Sequence, residues 1–304
     1  MTETQDGNTR CGFVALIGAP NSGKSTLTNA LVGAKVSIVT HKAQTTRGPV
    51  RGLFIAGDAQ VILVDTPGIF QPKRRLDRAM AQAAWDRAAD ADIVALVIDA
   101  ARGLDDKLAP IVEHLPDIRR PTLAVLNKVD LVKKPDLLRL TADLQALKAF
   151  DQVFMVSALT GDGVDDLKTY FAAAVPPGPW LFPEDQLSDA SLRQTAAEIT
   201  REKLFLRLHE ELPYALTVET TEWKELKDGS VRIEQTIFVE RESQRRIVLG
   251  AKGAMIKEIG SAARAEIAEI AGTPVHLFLF VKVRERWGED PERFREMGLD
   301  YPKG

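Results

Sequence analysis

The sequence predicts an α/β domain, with a mostly parallel sheet and helices on both faces, followed by a smaller α+β domain. Apolar runs alternate with amphipathic helical patterns up to about residue 174, as is typical of βαβ units. Three prolines and a glycine in residues 175–179 then interrupt this pattern, because they continue neither a helix nor a central strand. Beyond them the predicted order is helix, strand, strand, helix, helix, strand.

Hydrophobic periodicity predicts each element in turn. In the first domain the apolar runs predict strands over 13–17, 61–64, 93–98, 123–126 and 153–156, and the amphipathic patterns predict helices beginning at 25 and covering 136–150 and 164–173. In the second domain we predict helices over 191–209 and 254–270, strands over 214–221, 231–239 and 275–281, and a short amphipathic helix over 291–300. Asp228-Gly229 is a turn pair between two of these strands.

The composition permits two domains and argues against several classes of protein. The chain has 304 residues, 45% of them hydrophobic, which is enough for two packed cores. No apolar run approaches the roughly 18 residues that span a bilayer, and the polar N-terminus lacks the features of a signal peptide. Cys11 is the single cysteine, so an internal disulfide is impossible, which fits a reducing cytoplasm. We predict a disordered N-terminus over 1–10, a nucleotide-binding domain over 11–178, a linker over 179–188, and a second domain with a tail over 189–304.

A complete G-x-x-x-x-G-K-S phosphate loop, Gly18–Ser25, lies between the first predicted strand and the first predicted helix. Its glycines let backbone N–H groups point at phosphate oxygens, and the helix N-terminus adds partial positive charge. Lys24 can reach the β- and γ-phosphates, and the Ser25 hydroxyl can bind Mg²⁺. The predicted nucleotide contacts of this loop are Asn21, Ser22, Gly23, Lys24, Ser25 and Thr26.

A second phosphate-facing motif, Asp65-Thr-Pro-Gly68, ends a predicted strand. Asp65 can hold Mg²⁺ through water, and the Gly68 N–H can contact the γ-phosphate. A threonine of the preceding polar segment would complete the Mg²⁺ shell, and we favour Thr46 over Thr45. We expect a triphosphate to order that segment and a diphosphate to loosen it. Lys24, Thr46 and Gly68 are the predicted catalytic residues.

The base is selected further along the chain, where Asn127-Lys128-Val129-Asp130 follows a predicted strand. A carboxylate here accepts two hydrogen bonds from guanine, whereas facing adenine a buried carboxylate would remain unpaired, a discrimination on the order of 10⁴. Asn127 can fix the loop, and the Lys128 stem can cover the base. Ser157-Ala158-Leu159 is a weaker signal for the same site. We expect the Ala158 N–H to approach the guanine O6.

The second domain contains a G-x-x-G loop, Gly250–Gly253, between two predicted helices. Such a loop often serves as an ordinary helix–helix turn. Flanked by elements in this order, it indicates a type II KH domain, which holds about four single-stranded nucleotides. Residues 241–264 contain six basic and two acidic side chains, which favours RNA over a merely solvated helix face. The predicted RNA contacts are Arg245, Arg246, Gly250, Ala251, Lys252, Gly253 and Lys257.

With these motifs in this order, the chain resembles the Era family of bacterial ribosome-assembly GTPases over nearly its whole length. The resemblance rests on the phosphate loop, Ala43–Arg47, Asp65–Ile69 and Ile256–Gly260. It implies a P-loop NTPase domain that binds GTP, GDP and Mg²⁺, together with a type II KH domain. It also implies that the partner is single-stranded RNA near the 3′ end of the small-subunit ribosomal RNA, during 30S assembly. We further expect a monomer in the cytoplasm, with peripheral association at the inner membrane.

Ile69 occupies the place where Ras-like GTPases have a water-orienting glutamine. An aliphatic side chain cannot orient water, so we predict slow intrinsic hydrolysis. Asn21 indicates K⁺, because related GTPases with asparagine at this place use it to hold K⁺ near the phosphates. We therefore expect faster phosphate release in KCl than in NaCl at equal ionic strength, and equal rates would exclude the K⁺ site.

Two other functions are compatible with parts of this sequence. An ATP-dependent small-molecule kinase or another P-loop enzyme would use the phosphate loop but would not need Asp130. An RNA-binding protein with a degenerate nucleotide domain would use the G-x-x-G loop and would not respond to GTP. A single nucleotide domain followed by this C-terminal half argues against assembly GTPases with tandem nucleotide domains.

Overall fold

The computed structural model describes residues 9–72 and 74–302. The chain divides into two compact units. The first comprises the residues up to Ser37, Thr46–Asp189, and the residues from Met297 onward, and the second comprises Ile38–Thr45 and Ala190–Glu296. The main division is near residue 189. In addition, Ile38–Thr45 belongs to the second unit although it lies in the N-terminal half of the chain, and the last residues belong to the first unit. The sequence patterns do not indicate these two assignments.

The first unit contains a six-stranded sheet in the order β2-β3-β1-β4-β5-β6. Its strands are Arg10–Ile17 (β1), Val50–Ala56 (β2), Ala59–Asp65 (β3), Ile93–Asp99 (β4), Thr122–Asn127 (β5) and Gln152–Met155 (β6). All neighbours are parallel except β2 and β3. The sheet is therefore mostly parallel, as the sequence predicts, and β2 is an additional antiparallel edge strand.

Helices cover both faces of this sheet. They are Lys24–Val32 (α1), Arg75–Asp90 (α2), Ala109–Ile118 (α3), Lys134–Ala146 (α4) and Val164–Ala174 (α5). One apolar cluster packs α1 and α5 against one face, and another packs α2, α3 and α4 against the other. Because β3 and β5 are buried along their whole length, their sequences are continuous apolar runs rather than alternating ones.

Residues at both predicted limits of the first domain make contacts within the first unit. The predicted disordered N-terminus lies outside the described residues for 1–8, whereas Arg10 is already in β1 and the Thr9 hydroxyl donates to the Gly178 carbonyl over 3.0 Å. In the predicted linker, Trp180 and Phe182 pack against a small apolar cluster of this unit. The linker residues therefore extend the first unit.

The second unit contains a three-stranded sheet in the order β7-β8-β9. Its elements are Leu192–Arg207 (α6), Leu216–Glu225 (β7), Val231–Val239 (β8), Glu242–Leu249 (α7), Ala254–Ala271 (α8), Val275–Val283 (β9) and Pro291–Glu296 (α9). β7 and β8 are antiparallel, and β8 and β9 are parallel. The apolar side chains of α6 and α8 form a core with the inner face of the sheet. This order matches the predicted helix-strand-strand-helix-helix-strand pattern.

Within the described residues, none of the helices combines the length and the apolar composition that crossing a bilayer requires.

Candidate nucleotide site and RNA-binding loop

The phosphate loop connects β1 to α1 and ends in a left-handed glycine. Gly23 has φ 97° and precedes the first residue of α1. A Cβ atom at Gly23 would lie 2.2 Å from the Asn127 amide nitrogen, so any side chain would push the loop away from β5. Glycine is thus required both by the backbone conformation and by the close approach of the second motif.

Lys24 is buried at the start of α1, and its ammonium lies inside the loop. Its Nζ donates to the carbonyl oxygens of Gly18 and Ala19, each over 3.1 Å. Burial lowers the pKa of Lys24 to about 8, and the nearby Asp65 opposes this shift. A cation held this way by loop carbonyls is directed to the position that phosphates occupy in such loops.

The three predicted metal-binding side chains come together. The Ser25 hydroxyl donates to Asp65 Oδ2 over 2.7 Å and lies 2.8 Å from Thr46 Oγ1, which itself is 3.3 Å from Asp65 Oδ2. Asp65 is fully buried, and its Oδ1 has no hydrogen-bond partner among the described residues. Burial raises the pKa of Asp65, and Lys24 opposes the rise. Hydroxyl and carboxylate oxygens are the ligands that Mg²⁺ prefers, so these residues fit that ion.

The two candidate threonines have different surroundings. Thr46 lies with Ser25 and Asp65, whereas the Thr45 hydroxyl donates to the Lys42 carbonyl over 2.7 Å and pairs with Thr40. This arrangement favours Thr46 as the metal-facing residue.

Gly68 lies against the phosphate loop, and Ile69 points into the core. A Cβ atom at Gly68 would lie 2.9 Å from the Cα of Pro20. The Ile69 N–H donates to the Gly18 carbonyl over 3.0 Å, while its side chain belongs to an apolar cluster under the sheet. Ile69 is therefore a packing residue at the place where Ras-like proteins have a water-orienting glutamine.

Asn127 joins three parts of the predicted nucleotide site. Its amide nitrogen donates to the Ser22 carbonyl over 3.0 Å. Its Oδ1 accepts from the backbone N–H groups of Lys128 over 2.9 Å and Ala158 over 3.0 Å. Because Asn127 is buried, these bonds hold the phosphate loop and the 157–159 segment at fixed positions beside β5.

Lys128 crosses towards the phosphate loop. Its ammonium donates to the Asn21 carbonyl over 2.7 Å and to Asp99 Oδ2 over 2.6 Å. Asp99 was not among the residues predicted for the site. The available signal was its place at the carboxyl end of β4, directly beside Asn127 of β5.

Two details at the base end differ from the sequence analysis. Asp130 lies in a short 3-10 turn, Val129–Leu131, and is exposed rather than buried. The exposure of Asp130 does not support the predicted penalty for an unpaired buried charge, so the predicted discrimination would depend on its two hydrogen bonds to guanine. The Ala158 N–H, expected to approach guanine O6, donates to Asn127 Oδ1 in this structure. Ser157 is buried, whereas Leu159 is 81% exposed.

In the second unit the G-x-x-G loop separates α7 from α8. Gly250 has φ 71° and ψ 178°, and Gly253 has φ 78°. A Cβ atom at Gly250 would lie 2.6 Å from the Met255 Cβ, so glycine allows the sharp reversal between the helices. Lys252 and Ala251 at the tip are exposed, which leaves the loop open to a phosphate backbone.

The basic residues around this loop are not equivalent. Arg246 and Lys257 are exposed and are available to a polyanion. Arg245 is half-buried, because its Nε donates to the Val281 carbonyl over 3.2 Å and its Nη1 pairs with Glu242 over 2.9 Å. Arg245 therefore contributes to the fold as well as to the predicted RNA surface.

The polar segment Ile38–Thr45 forms part of the second unit through contacts with α6. The Lys42 ammonium donates to the carbonyl oxygens of Leu208, over 2.8 Å, and Phe205. The Val39 N–H donates to Glu202 over 2.9 Å, and Arg201 donates to the Thr45 carbonyl. Sequence patterns gave no signal for these contacts, because they join residues about 160 positions apart.

Comparisons with known proteins cover both units. The family described as 50S ribosome-binding GTPase matches residues 13–128, and the KH domain family matches residues 211–288. The GTPase Era of Brucella suis is 64% identical over 300 residues, covering 99% of this chain and 96% of that protein. The GTPase Era of Afipia carboxidovorans is 63% identical and covers 100% of this chain and 98% of that protein.

Solved structures agree over the same length. A single-substitution variant of Aquifex aeolicus Era, bound to GDP and AlF₄⁻, superimposes with a TM-score of 0.91 at 38% identity, covering 95% of this chain and 99% of that one. An Era complex with MgGDPNP and nucleotides 1506–1542 of 16S ribosomal RNA gives the same values. With full-length relatives at this identity and both domains matched, the chain belongs to the Era family of GTPases.

Proposed function

We propose that this chain is a GTP-hydrolysing switch that binds single-stranded RNA near the 3′ end of the small-subunit ribosomal RNA and acts in 30S assembly. The GTPase Era relatives support the enzyme activity. The Era complex with MgGDPNP and 16S ribosomal RNA supports the ligand, the metal ion and the RNA. The G-x-x-G loop, with the exposed Lys252 at its tip, supports RNA contact within this chain.

One observation carries the proposal: Ser25, Thr46 and Asp65 converge beside the buried Lys24. Lys24 would bind the β- and γ-phosphates, while the three oxygen-bearing side chains would hold Mg²⁺. Bound Mg²⁺ would neutralise phosphate charge as the terminal phosphoryl group leaves. The Gly68 N–H would contact the γ-phosphate, and Asn127, Lys128 and Asp130 would position the guanine.

The residue after Gly68, Ile69, indicates that intrinsic GTP hydrolysis is slow. Because the Ile69 side chain packs into the core, it neither orients nor activates water. The catalytic contribution of this chain is then mainly phosphate binding and electrostatic stabilisation by Lys24, Thr46 and the Gly68 N–H.

Nucleotide state would reach the RNA-binding unit through the main chain. Thr46 belongs to the first unit and Thr45 to the second, so one peptide bond connects the metal-facing threonine to the segment bound by α6. A triphosphate that holds Thr46 would order the 44–48 segment and the turn after Asp65, and would raise the affinity of the KH domain for RNA. Hydrolysis would loosen these segments and release the RNA.

The proposed place of action is the cytoplasm, at the assembling small subunit, with peripheral association at the inner membrane. The support is family membership alone.

The decisive experiment measures the affinity for a 3′-terminal 16S RNA fragment with GDP and with a non-hydrolysable GTP analogue, at one stated salt concentration. Tighter binding with the analogue is expected, and equal binding would refute the coupling. Lys24→Ala should abolish the nucleotide response. An RNA-binding protein with a degenerate nucleotide domain would instead show no response in either form of the chain.

A further inference from the structure

The last described residues, Met297–Pro302, return to the first unit and are called the C-terminal strap here. They follow α9 directly and are grouped with the nucleotide-binding unit. Leu299 is 2% exposed, so the strap includes a buried apolar side chain. Burial of a leucine is the kind of contact that holds a chain terminus in place.

The strap crosses the chain immediately after the metal-facing threonine. A Cβ atom built on Gly48 would lie 2.0 Å from the Met297 carbonyl oxygen. Gly48 does not have a positive φ, so the backbone at this position would accept any residue. Glycine is required here because the strap approaches so closely, and Gly48 is two residues from Thr46.

The other end of the strap holds the start of α2. The Arg75 guanidinium donates to the Tyr301 hydroxyl, and its carbon lies 5.1 Å from the centre of the Tyr301 ring. Arg75 is the first residue of α2, the helix that follows the Asp65–Gly68 motif along the chain. The same six-residue strap therefore contacts one segment after Thr46 and another after Gly68.

We propose that the C-terminal strap positions the Thr46–Pro49 segment for the triphosphate state. This inference rests on the proposed function. In this structure the strap is packed against Gly48 while Thr46 lies with Ser25 and Asp65. The packed strap is thus compatible with the metal-facing position of Thr46, and it stabilises that position. A triphosphate with Mg²⁺ uses Thr46 and a diphosphate does not. Loss of the strap therefore weakens triphosphate binding selectively.

The test compares the full chain with a chain that ends at Glu296, each with and without Gly48→Ala. The readout is the affinity for a non-hydrolysable GTP analogue divided by that for GDP, both with Mg²⁺. Gly48→Ala should lower this ratio about 10-fold in the full chain, a usual size for coupling between sites. The chain ending at Glu296 should show the same loss, and adding Gly48→Ala should lower it no further.

Two further variants distinguish the loss of the strap contacts from a general loss of folding. Gly178→Ala introduces a methyl group where no atom lies within 4 Å and should leave the ratio unchanged. Tyr301→Ala removes the Arg75 contact without touching Gly48 and should lower the ratio. Unchanged GDP affinity in each variant shows that the phosphate loop is folded.

The inference is overturned if truncation leaves the ratio unchanged, or if Gly48→Ala lowers it as much in the truncated chain as in the full one. Either result can occur while the intact chain hydrolyses GTP and responds to it in RNA binding, so the proposed function would survive. Failure of the intact chain to bind the GTP analogue would instead refute the proposed function itself.

Discussion

Asn127 shows how much of the site one buried amide can organise. Its side chain bonds the phosphate loop through Ser22 and the 157–159 segment through Ala158. The motif indicated that Asn127 could fix a loop, but only the distances reveal that it joins segments more than 100 residues apart. Gly23 is the complementary case, because its missing Cβ is what allows Asn127 to approach.

We predict that Asp130→Asn shifts nucleotide preference from GTP to xanthosine triphosphate. An amide at this position can donate to the xanthine C2 oxygen but cannot accept both guanine N–H groups. Loss of charged hydrogen bonds, each contributing about 1.5–3 kcal/mol, should weaken GTP binding by about 10²-fold. Competition of both nucleotides for the purified protein measures the change.

The matched control is Asp136→Asn, the same substitution at an exposed carboxylate in the first turn of α4. It should leave GTP preference unaltered. An unchanged preference in Asp130→Asn would contradict guanine recognition and favour a P-loop enzyme with another substrate.

At the scale of elements, local patterns predict most strands and helices. The observed ends of these elements differ from the predicted ends by a few residues. The predicted helix over 136–150 is α4, Lys134–Ala146, and the predicted strand over 214–221 is β7, Leu216–Glu225. β7 begins later because Leu212–Ala215 forms a 3-10 turn around Pro213. β2, α2 and α3 were not assigned. As an edge strand, β2 is defined by pairing with β3 rather than by its own apolar pattern.

The G-x-x-G loop provides a prediction at this scale. We expect Lys252→Ala to weaken binding to all single-stranded RNA sequences alike, because an exposed lysine at the loop tip contacts phosphate rather than bases. The slope of log affinity against log salt should decrease in magnitude by about 0.7, the value for one phosphate contact on a single strand. Titrations at several salt concentrations measure it.

Lys227→Ala serves as the control for this prediction, since Lys227 is exposed in the β7–β8 turn of the same unit. It removes the same charge away from the loop and should keep the slope. Equal effects of the two substitutions would indicate a diffuse electrostatic contribution instead of a phosphate contact by the loop.

At the scale of the whole molecule, two short segments belong to a different unit from the residues next to them in the chain. Ile38–Thr45 belongs to the second unit and Met297–Pro302 belongs to the first. The predicted domain limits follow the proline-rich segment near residue 178. They do not predict that these two segments belong to the other unit. Packing over long sequence separations decides which unit a short segment joins.

We expect Lys42→Met to reduce the nucleotide dependence of RNA binding. The substitution keeps the length of the side chain but removes its hydrogen bonds to the carbonyl oxygens of Phe205 and Leu208. The 38–45 segment should then follow α6 less closely, and the ratio of RNA affinities with GTP analogue and GDP should decrease about 5-fold. GDP affinity should be unchanged.

Lys227→Met is the matched control, and it should keep the full nucleotide dependence. If Lys42→Met also keeps it, the 38–45 segment does not transmit nucleotide state to the RNA-binding unit.

The sequence by itself determined the order of the motifs, the two-domain class and the family, because phosphate loops, base-reading turns and G-x-x-G loops depend on glycines and polar residues at short fixed spacings. Only the tertiary structure decided which threonine faces Asp65, what Asn127 and Asp99 contact, and where residues 38–45 and 297–302 pack. Those outcomes depend on burial and hydrogen bonding between residues distant in the chain, and no local pattern encodes such contacts.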